Sequence, residues 1–408
     1  MRSVAEHVKA CLDIVGQVPA LEVVLPDAMG CVLAEDVTAP QDLPPADSAL
    51  LDGYAVAASD IEAARPHSPV ELPVVEDVTS GSVDRFHLVP GTSARISSGA
   101  PLPIGADAVV PMEFTDHGQA RVQIRSACAS GENVRRRAED MAADAVVLRA
   151  GTRIGAPQIA LLAAVGRGRV RVHPRPRVVI ISIGDELIEP GARRNPGEVF
   201  DANSHALACA IQDAGGMTYR VPAVTDERAA LRQTITDQLV RSDLIITTGG
   251  LSYGKSDTVK EVLSPLGRVR FDQVAMWPGR QFGVGTLGED DGEAVPIFCL
   301  PGDPVAVQVA FEAFVRPAIR SMSGYSHVYR RTVRAKAGRS FYSLAGKREF
   351  VRVHVSGDPS AGYTAVPLGN PAALLVSELA KANAFAVVPE NVTDVQAGTP
   401  LVCMLLDD

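Results

Sequence analysis

The sequence predicts a multidomain α/β plus β protein, built around one doubly wound, mostly parallel sheet with additional β-rich domains. Three observations predict it. Between residues 177 and 319, short runs apolar on both faces alternate with helical patterns, which means a parallel sheet covered on both sides. The stretches 54–125 and 324–408 carry short apolar or alternating runs broken by turn residues, the texture of β structure. A length of 408 residues, at roughly 100–200 per domain, allows two to four domains.

The first element is a helix. Ser3 and Glu6 have the spacing of a capping box, and Val4, Val8, Cys11, Leu12 and Val15 recur at helical intervals up to Gly16. A proline-rich, linker-like stretch follows through Pro40, Pro44 and Pro45. Residues 70–75 and 121–125 read as strands, with Asp116-His117-Gly118 as a turn before the second. Residues 156–165 form a helical apolar run ending at Gly166, and 167–176 reads as a basic, proline-containing connector and a domain boundary. The α/β segment then gives strands at 177–182 (RVVIIS), 218–224, 243–248 (DLIITT), 269–276 and 295–300. Its helices fall at 203–213, 227–239 with Asp226 as cap, 257–263 and a long 305–319. Right-handed crossovers place the carboxyl ends of the parallel strands along one edge, where ligands bind.

Composition excludes several functions. A formal net charge of −9 argues against a general nucleic-acid or membrane-surface binder, since both need a basic face. The six cysteines are scattered without a C-x-x-C pair and read as buried reduced thiols. The eight histidines lack the spacing of a zinc or iron site. No run approaches the roughly 20 apolar residues of a membrane span, and Met1-Arg2-Ser3-Val4-Ala5-Glu6 is charged early, so the expected location is the cytoplasm, with no membrane insertion.

The sharpest chemical signal runs from Thr247 through Gly249-Gly250, Ser252 and Gly254 to Asp257: a buried strand ends at a glycine pair, and a loop of small residues leads into a helix. Glycines let backbone approach a ligand, and free N–H groups at a helix start attract phosphate. Asp257 reads equally as the cap of that helix or as a ligand to a metal or an amine. Asp185 and Glu186 end the first strand of the same sheet. Carboxylates there are usually solvated or capping, and beside a phosphate they need Mg²⁺ between them. Asp201-Ala202-Asn203 adds a polar turn near that edge. Trp277-Pro278-Gly279-Arg280 and Leu300-Pro301-Gly302-Asp303-Pro304 read as rigid turns, with Arg280 as the obvious anion ligand. In the N-terminal half, Asp52 precedes a glycine in a turn-like segment 47–54. Arg135-Arg136-Arg137-Ala138-Glu139-Asp140 reads, on its own, as a solvated charged loop.

In this order, these loops resemble the MoeA/gephyrin E-domain family. The family's patterns have counterparts at 47–55, 95–110, 133–140, 184–187, 249–257 and 300–304, so the resemblance spans nearly the whole chain. It implies an elongated homodimer with a MogA-like domain III (1–20 and 176–323), a domain I (21–50 and 141–175), a β-rich domain II (51–140) and a C-terminal β domain IV (324–408). It implies a molybdopterin molybdenumtransferase that inserts molybdate into molybdopterin while hydrolysing adenylylated molybdopterin, with Mg²⁺, in a cleft between domain III of one subunit and domain IV of the other. Position by position, it implies catalytic roles for Asp52, Ser98 (Thr in much of the family), Asp140, Glu186 and Asp257, with Asp52, Glu186 and Asp257 holding the metal. It assigns Arg137, Gly249, Gly250, Ser252, Gly254, Arg280, Pro301, Arg348 and Arg352 to the pterin, phosphate or oxyanion.

The departures fall on the oxyanion side. The family's K-P-G-K-P is Trp277-Pro278-Gly279-Arg280-Gln281, its L-P-G-N-P carries Asp303, its Gly-Ser pair is Ala372-Ala373, and Ile183 replaces a threonine. One cation is lost and one negative charge is gained on this reading. The departures motivate a second reading, a gephyrin-like scaffold that binds a partner peptide through a domain IV groove, and a third, a variant that inserts tungstate or binds the pterin without metal transfer.

Overall fold

The computed structural model describes residues 1–81, 86–251, 258–288 and 294–407. It contains two compact units: Met1–Ala34, Gly151–Gly155 and Arg169–Asp408 form the first, and Glu35–Ala150 with Ala156–Gly168 the second.

The first unit is organised by a six-stranded sheet. Arg177–Ile183 lies between Met217–Val224 and Leu244–Thr248, all parallel, and Val295–Leu300 extends the parallel set beyond Leu244–Thr248. Gln281–Leu287 and Gly267–Gln273 complete it antiparallel. The chain therefore leaves its first strand to one side, then crosses to the other, which makes the exit of Arg177–Ile183 and Leu244–Thr248 the topological switch point. Both faces are covered because both are apolar. Val178, Ile180, Leu244 and Ile246 pack under the helices Ala202–Asp213 and Pro304–Ala310 and the first helix, Val4–Asp13. Val179, Ile181 and Ile245 pack on the other side, under Arg228–Leu239 and Thr258–Leu263.

Val4–Asp13 starts as the sequence predicts: the Ser3 side chain accepts from the Glu6 N–H and the Glu6 carboxylate accepts from the Ser3 N–H. Three expectations are corrected. The connector 167–176 contains a strand, Arg169–His173, paired with Leu21–Val24 and Val32–Leu33; its Arg-Val-Arg-Val alternation buries the valines and exposes the arginines. Asp226 does not cap the helix that follows it, because the N-cap position is Glu227, which makes no side-chain capping bond. The long C-terminal helix is two α-segments, Pro304–Ala310 and Arg316–Met322, joined by a π-turn at Phe311–Val315.

After residue 324 the chain forms a closed sheet. Arg348–Asp358, Gly362–Pro367, Thr332–Ala337, Pro400–Leu405 and Ala384–Val388 pair in that order, and the last returns to the first. Closure removes the exposed edges an open sheet would leave. Small side chains such as Ala335, Ala365, Ala384 and Ala386 fill the narrow interior. Met276–Trp277 adds in parallel to Arg348–Asp358.

The second unit centres on a five-stranded sheet in which Gly53–Val56 pairs with Ala108–Pro111 and Ser93–Ile96, and Val70–Val78 with Ser93–Ile96 and Arg121–Ile124. The stretch read as a linker supplies short strands as well, among them Val37–Thr38, paired with Val146–Leu148.

Candidate functional site

At the switch point, backbone builds the site. Gly249 and Gly250 follow Leu244–Thr248 with φ of +85° and +67°. A Cβ on Gly249 would run into the Ile183 carbonyl oxygen, and one on Gly250 into the Val259 side chain. Only glycine fits this close approach of neighbouring strand ends. The Asn203 amide, in the first turn of Ala202–Asp213, donates to Thr248 Oγ1 (2.9 Å) and to the Gly302 carbonyl (2.8 Å), tying the ends of two strands together. Asp201 is the buried N-cap of that helix, accepting from the Ser204 N–H and hydroxyl. Three buried polar atoms here, Ser182 Oγ, Thr247 Oγ1 and Asn203 Oδ1, have no hydrogen-bond partner among the described residues. Ser252, Gly254 and Asp257, which the sequence reading also assigns to this loop, lie outside the described residues.

Acids gather on the same rim. The Glu186 carboxylate folds back over Gly184, 2.8 Å from where a Cβ would stand. Asp185 Oδ1 accepts from the Asp226 N–H at 3.0 Å. The Asp226 carboxyl is pushed above the ordinary range by partial desolvation, then by the charges of Asp185 and Glu186. Sequence reasoning named Asp226 only as a helix cap, because only the pairing of adjacent strands brings residue 226 beside residue 185.

The turns at the other strand ends alter the oxyanion expectation. Asp303 adds no loose charge to a pocket: its side chain accepts from the Ala306 N–H and caps Pro304–Ala310, where a helix N-terminus favours an anion. Nor is the Trp277 turn without a cation, since the Lys347 ammonium stands over the Trp277 ring at 5.4 Å from its centroid. The Arg280 guanidinium donates to Gln273 Oε1 at 3.0 Å, and Pro301 lies beside Gly279. Arg348 pairs with Glu390 at 3.2 Å. Arg352, with 1% of its surface exposed, donates to the carbonyls of Asn370, Pro371 and Ala373 and pairs with Glu378 at 3.5 Å. Its guanidinium thus ties the 370–373 loop, while its buried Nε has no hydrogen-bond partner among the described residues.

In the second unit, Asp52 Oδ1 accepts from the Ser98 N–H at 2.6 Å. Hydrogen bonds from the Ser98 backbone, then from its side chain, hold the exposed Asp52 carboxyl below the usual range, so it is ionised at neutral pH. The Arg137 N–H donates to Asp47 Oδ1 (2.8 Å) and its guanidinium pairs with Asp42, while Arg136 pairs with Asp47 at 3.0 Å. Asp140 is exposed and anchored through its own N–H to the Leu43 carbonyl at 3.1 Å. The charged loop is thus solvated but ordered by acids from residues 42 and 47.

This fold and edge define a class: a doubly wound α/β domain with a glycine-built turn at its switch point, carried with β modules on one chain. Residues 2–166 match the MoeA N-terminal region (domain I and II), residues 179–321 a probable molybdopterin binding domain, and residues 334–406 the MoeA C-terminal region (domain IV). The chain is 40% identical over 407 residues to molybdopterin molybdenumtransferase 2 of Mycobacterium tuberculosis, covering 98% of both. It is 37% identical over 418 residues to molybdopterin molybdenumtransferase 1 of that organism, covering 98% of this chain and 97% of the relative. A crystal structure of the molybdopterin biosynthesis MoeA protein from Pyrococcus horikoshii matches 99% of this chain and 100% of its own, with a TM-score of 0.77 at 28% identity. The chain belongs to the MoeA family. No helix among the described residues is long and apolar enough to cross a membrane.

Proposed function

We propose that this chain is a molybdopterin molybdenumtransferase: it takes adenylylated molybdopterin and molybdate as substrates, hydrolyses the adenylate and delivers the molybdenum to the pterin dithiolene. The observation that carries the reading is the convergence of Gly249, Gly250 and Asn203 at the switch point, where strand ends are held close and three buried polar atoms have no hydrogen-bond partner among the described residues. Such an edge suits a phosphorylated ligand, because backbone N–H groups and small residues admit phosphate without competing side chains.

The acids on the rim fit Mg²⁺. Their oxygens are hard donors, and the Asp226 carboxyl is raised first by desolvation and then by the charges of Asp185 and Glu186, which a divalent cation would offset. The described residues hold no cluster of three His, Cys, Asp or Glu, and Asp257 lies outside them. Glu186 would hold the Mg²⁺, together with Asp257 on the family resemblance, and when bound it neutralises charge on the phosphoanhydride. Two unit charges 4 Å apart repel by about 4 kcal/mol at an effective dielectric near 20, so cations are needed wherever pterin phosphate and molybdate approach. Arg280 and Lys347 supply them beside the Trp277 turn. On the family resemblance Asp52 positions water, Ser98 holds its carboxyl ionised, and Asp140 and Arg137 share that wall of the second unit. The homodimer, the cleft shared between subunits and the cytoplasmic location belong to the same reading, supported by the family resemblance.

The test is complementation. The chain should restore molybdoenzyme activity to a cell lacking its own transferase, and no restoration at comparable expression would overturn the reading.

A further inference from the structure

Outside the switch-point edge, the closed C-terminal sheet carries a cavity of about 400 Å³. Phe341, Tyr342, Ser343, Glu349 and Asn370 are among its lining residues. Glu349 is 2% exposed, and among the described residues its carboxylate accepts one hydrogen bond, a 3.3 Å contact from the Leu344 N–H. No cation among the described residues pairs with it. The neighbouring cations are placed elsewhere: Arg348 pairs with Glu390, Arg352 with Glu378 and loop carbonyls, and the Lys347 ammonium stands over the Trp277 ring. Arg339 also lines the cavity, but it is solvent-exposed and its guanidinium donates to the carbonyls of Pro367 and Gly369. The Ser343 hydroxyl is buried with no hydrogen-bond partner among the described residues. A carboxylate this deep, with one long hydrogen bond and no counter-ion, is costly unless a ligand supplies positive charge.

We propose that this cavity binds an alkylguanidinium or alkylammonium head group. The cation replaces the missing counter-ion of Glu349 and donates one N–H to the Ser343 hydroxyl. Phe341 gives the alkyl stem an apolar wall, and Tyr342, 82% exposed, offers a ring at the rim. A neutral donor of the same shape lacks the charge and is discriminated against. This site goes beyond the transferase reading, and its test uses no pterin.

The experiment is calorimetric titration of the full chain with agmatine and with N-acetyl-arginine amide, against the uncharged N-acetyl-citrulline amide. Saturable binding of a cation is expected, at least about tenfold tighter than the neutral analogue and lost about tenfold or more in Glu349→Gln. Binding of both cations identifies a protein side chain as a fitting source, and binding of agmatine alone a free amine; either supports the site. The melting midpoint of unliganded Glu349→Gln should hold or rise. A marked fall would mean that the protein already satisfies the carboxylate, and would overturn the proposal. Ser343→Ala should weaken cation binding several-fold at an unchanged midpoint. No saturable heat into the millimolar range, or equal binding by Glu349→Gln, would also overturn it.

Discussion

The exit edge of the parallel sheet and the Asp52 wall of the second unit present polar chemistry by opposite means. At the sheet edge the backbone makes the site: Gly249 and Gly250 sit at positive φ against neighbouring strand ends, and Asn203 and Asp201 serve as ties and caps. At the Asp52 wall, exposed side chains make it, each held by a neighbouring N–H or by an opposite charge. Where backbone is the architecture, a substitution disturbs folding before it reports on chemistry. Where side chains are the architecture, the fold tolerates the change and only reactivity moves.

The largest effect should come from Gly249→Ala. It adds a Cβ against the Ile183 carbonyl at φ +85°, so unfolding free energy should fall by about 3 kcal/mol, read from the urea midpoint at unchanged slope. An unmoved midpoint would break the contrast. The interior beneath this edge has its own signature in His7, buried against Phe282 and Phe314 with its pKa lowered to about 4, chiefly by burial and then by Arg2. The folded state favours the neutral ring, so its contribution is intact above pH 6.5 and is lost as pH falls from 6.5 towards 4. That loss amounts to up to about 3 kcal/mol. Urea midpoints at the two ends of that window measure it, and His7→Phe should flatten this part of the slope.

On the side-chain-built wall, Asp52→Asn should lower turnover about 100-fold while leaving the urea midpoint in place, because an amide oxygen can still accept the Ser98 N–H. A shifted midpoint would move Asp52 into the architectural group. The smallest effects distinguish charge from capping at Asp303. Asp303→Ala should cost about 1 kcal/mol, and Asp303→Asn less than about 0.5 kcal/mol, since either oxygen caps the helix. If Asp303→Asn instead sharply tightened apparent molybdate affinity, the residue would be acting on the oxyanion after all.

Much of this was legible in the residues, and the failures have physical causes. The capping box at Ser3 and Glu6 is a local bond pattern, and RVVIIS and DLIITT are apolar on both faces because helices cover both, so each could be read without neighbours. Gln281–Leu287 was not foreseen. Its two internal glycines weaken any strand signal, and Gly283 is glycine because a Cβ there would meet Phe271 and Cys299 at 2.7–2.8 Å. The strand Arg169–His173 was hidden by reading charge and proline ahead of alternation. Within the site, Gly249, Gly250 and Asp52 could be named from motif order. The Asp226–Asp185 contact, Lys347 above Trp277 and the turning inward of Arg352 depend on pairings between distant segments, and composition carries no trace of those. The departures that suggested a scaffold thereby gain structural accounts: Asp303 is a cap, and Lys347 restores a cation beside Trp277.

The most direct measurement is AMP release by the purified chain given adenylylated molybdopterin, Mg²⁺ and a wide range of molybdate. Release that saturates with molybdate and disappears in Asp52→Asn is the predicted result. A folded protein that binds the adenylylated pterin yet frees no AMP at any molybdate concentration would contradict the assignment of this crevice to metal insertion.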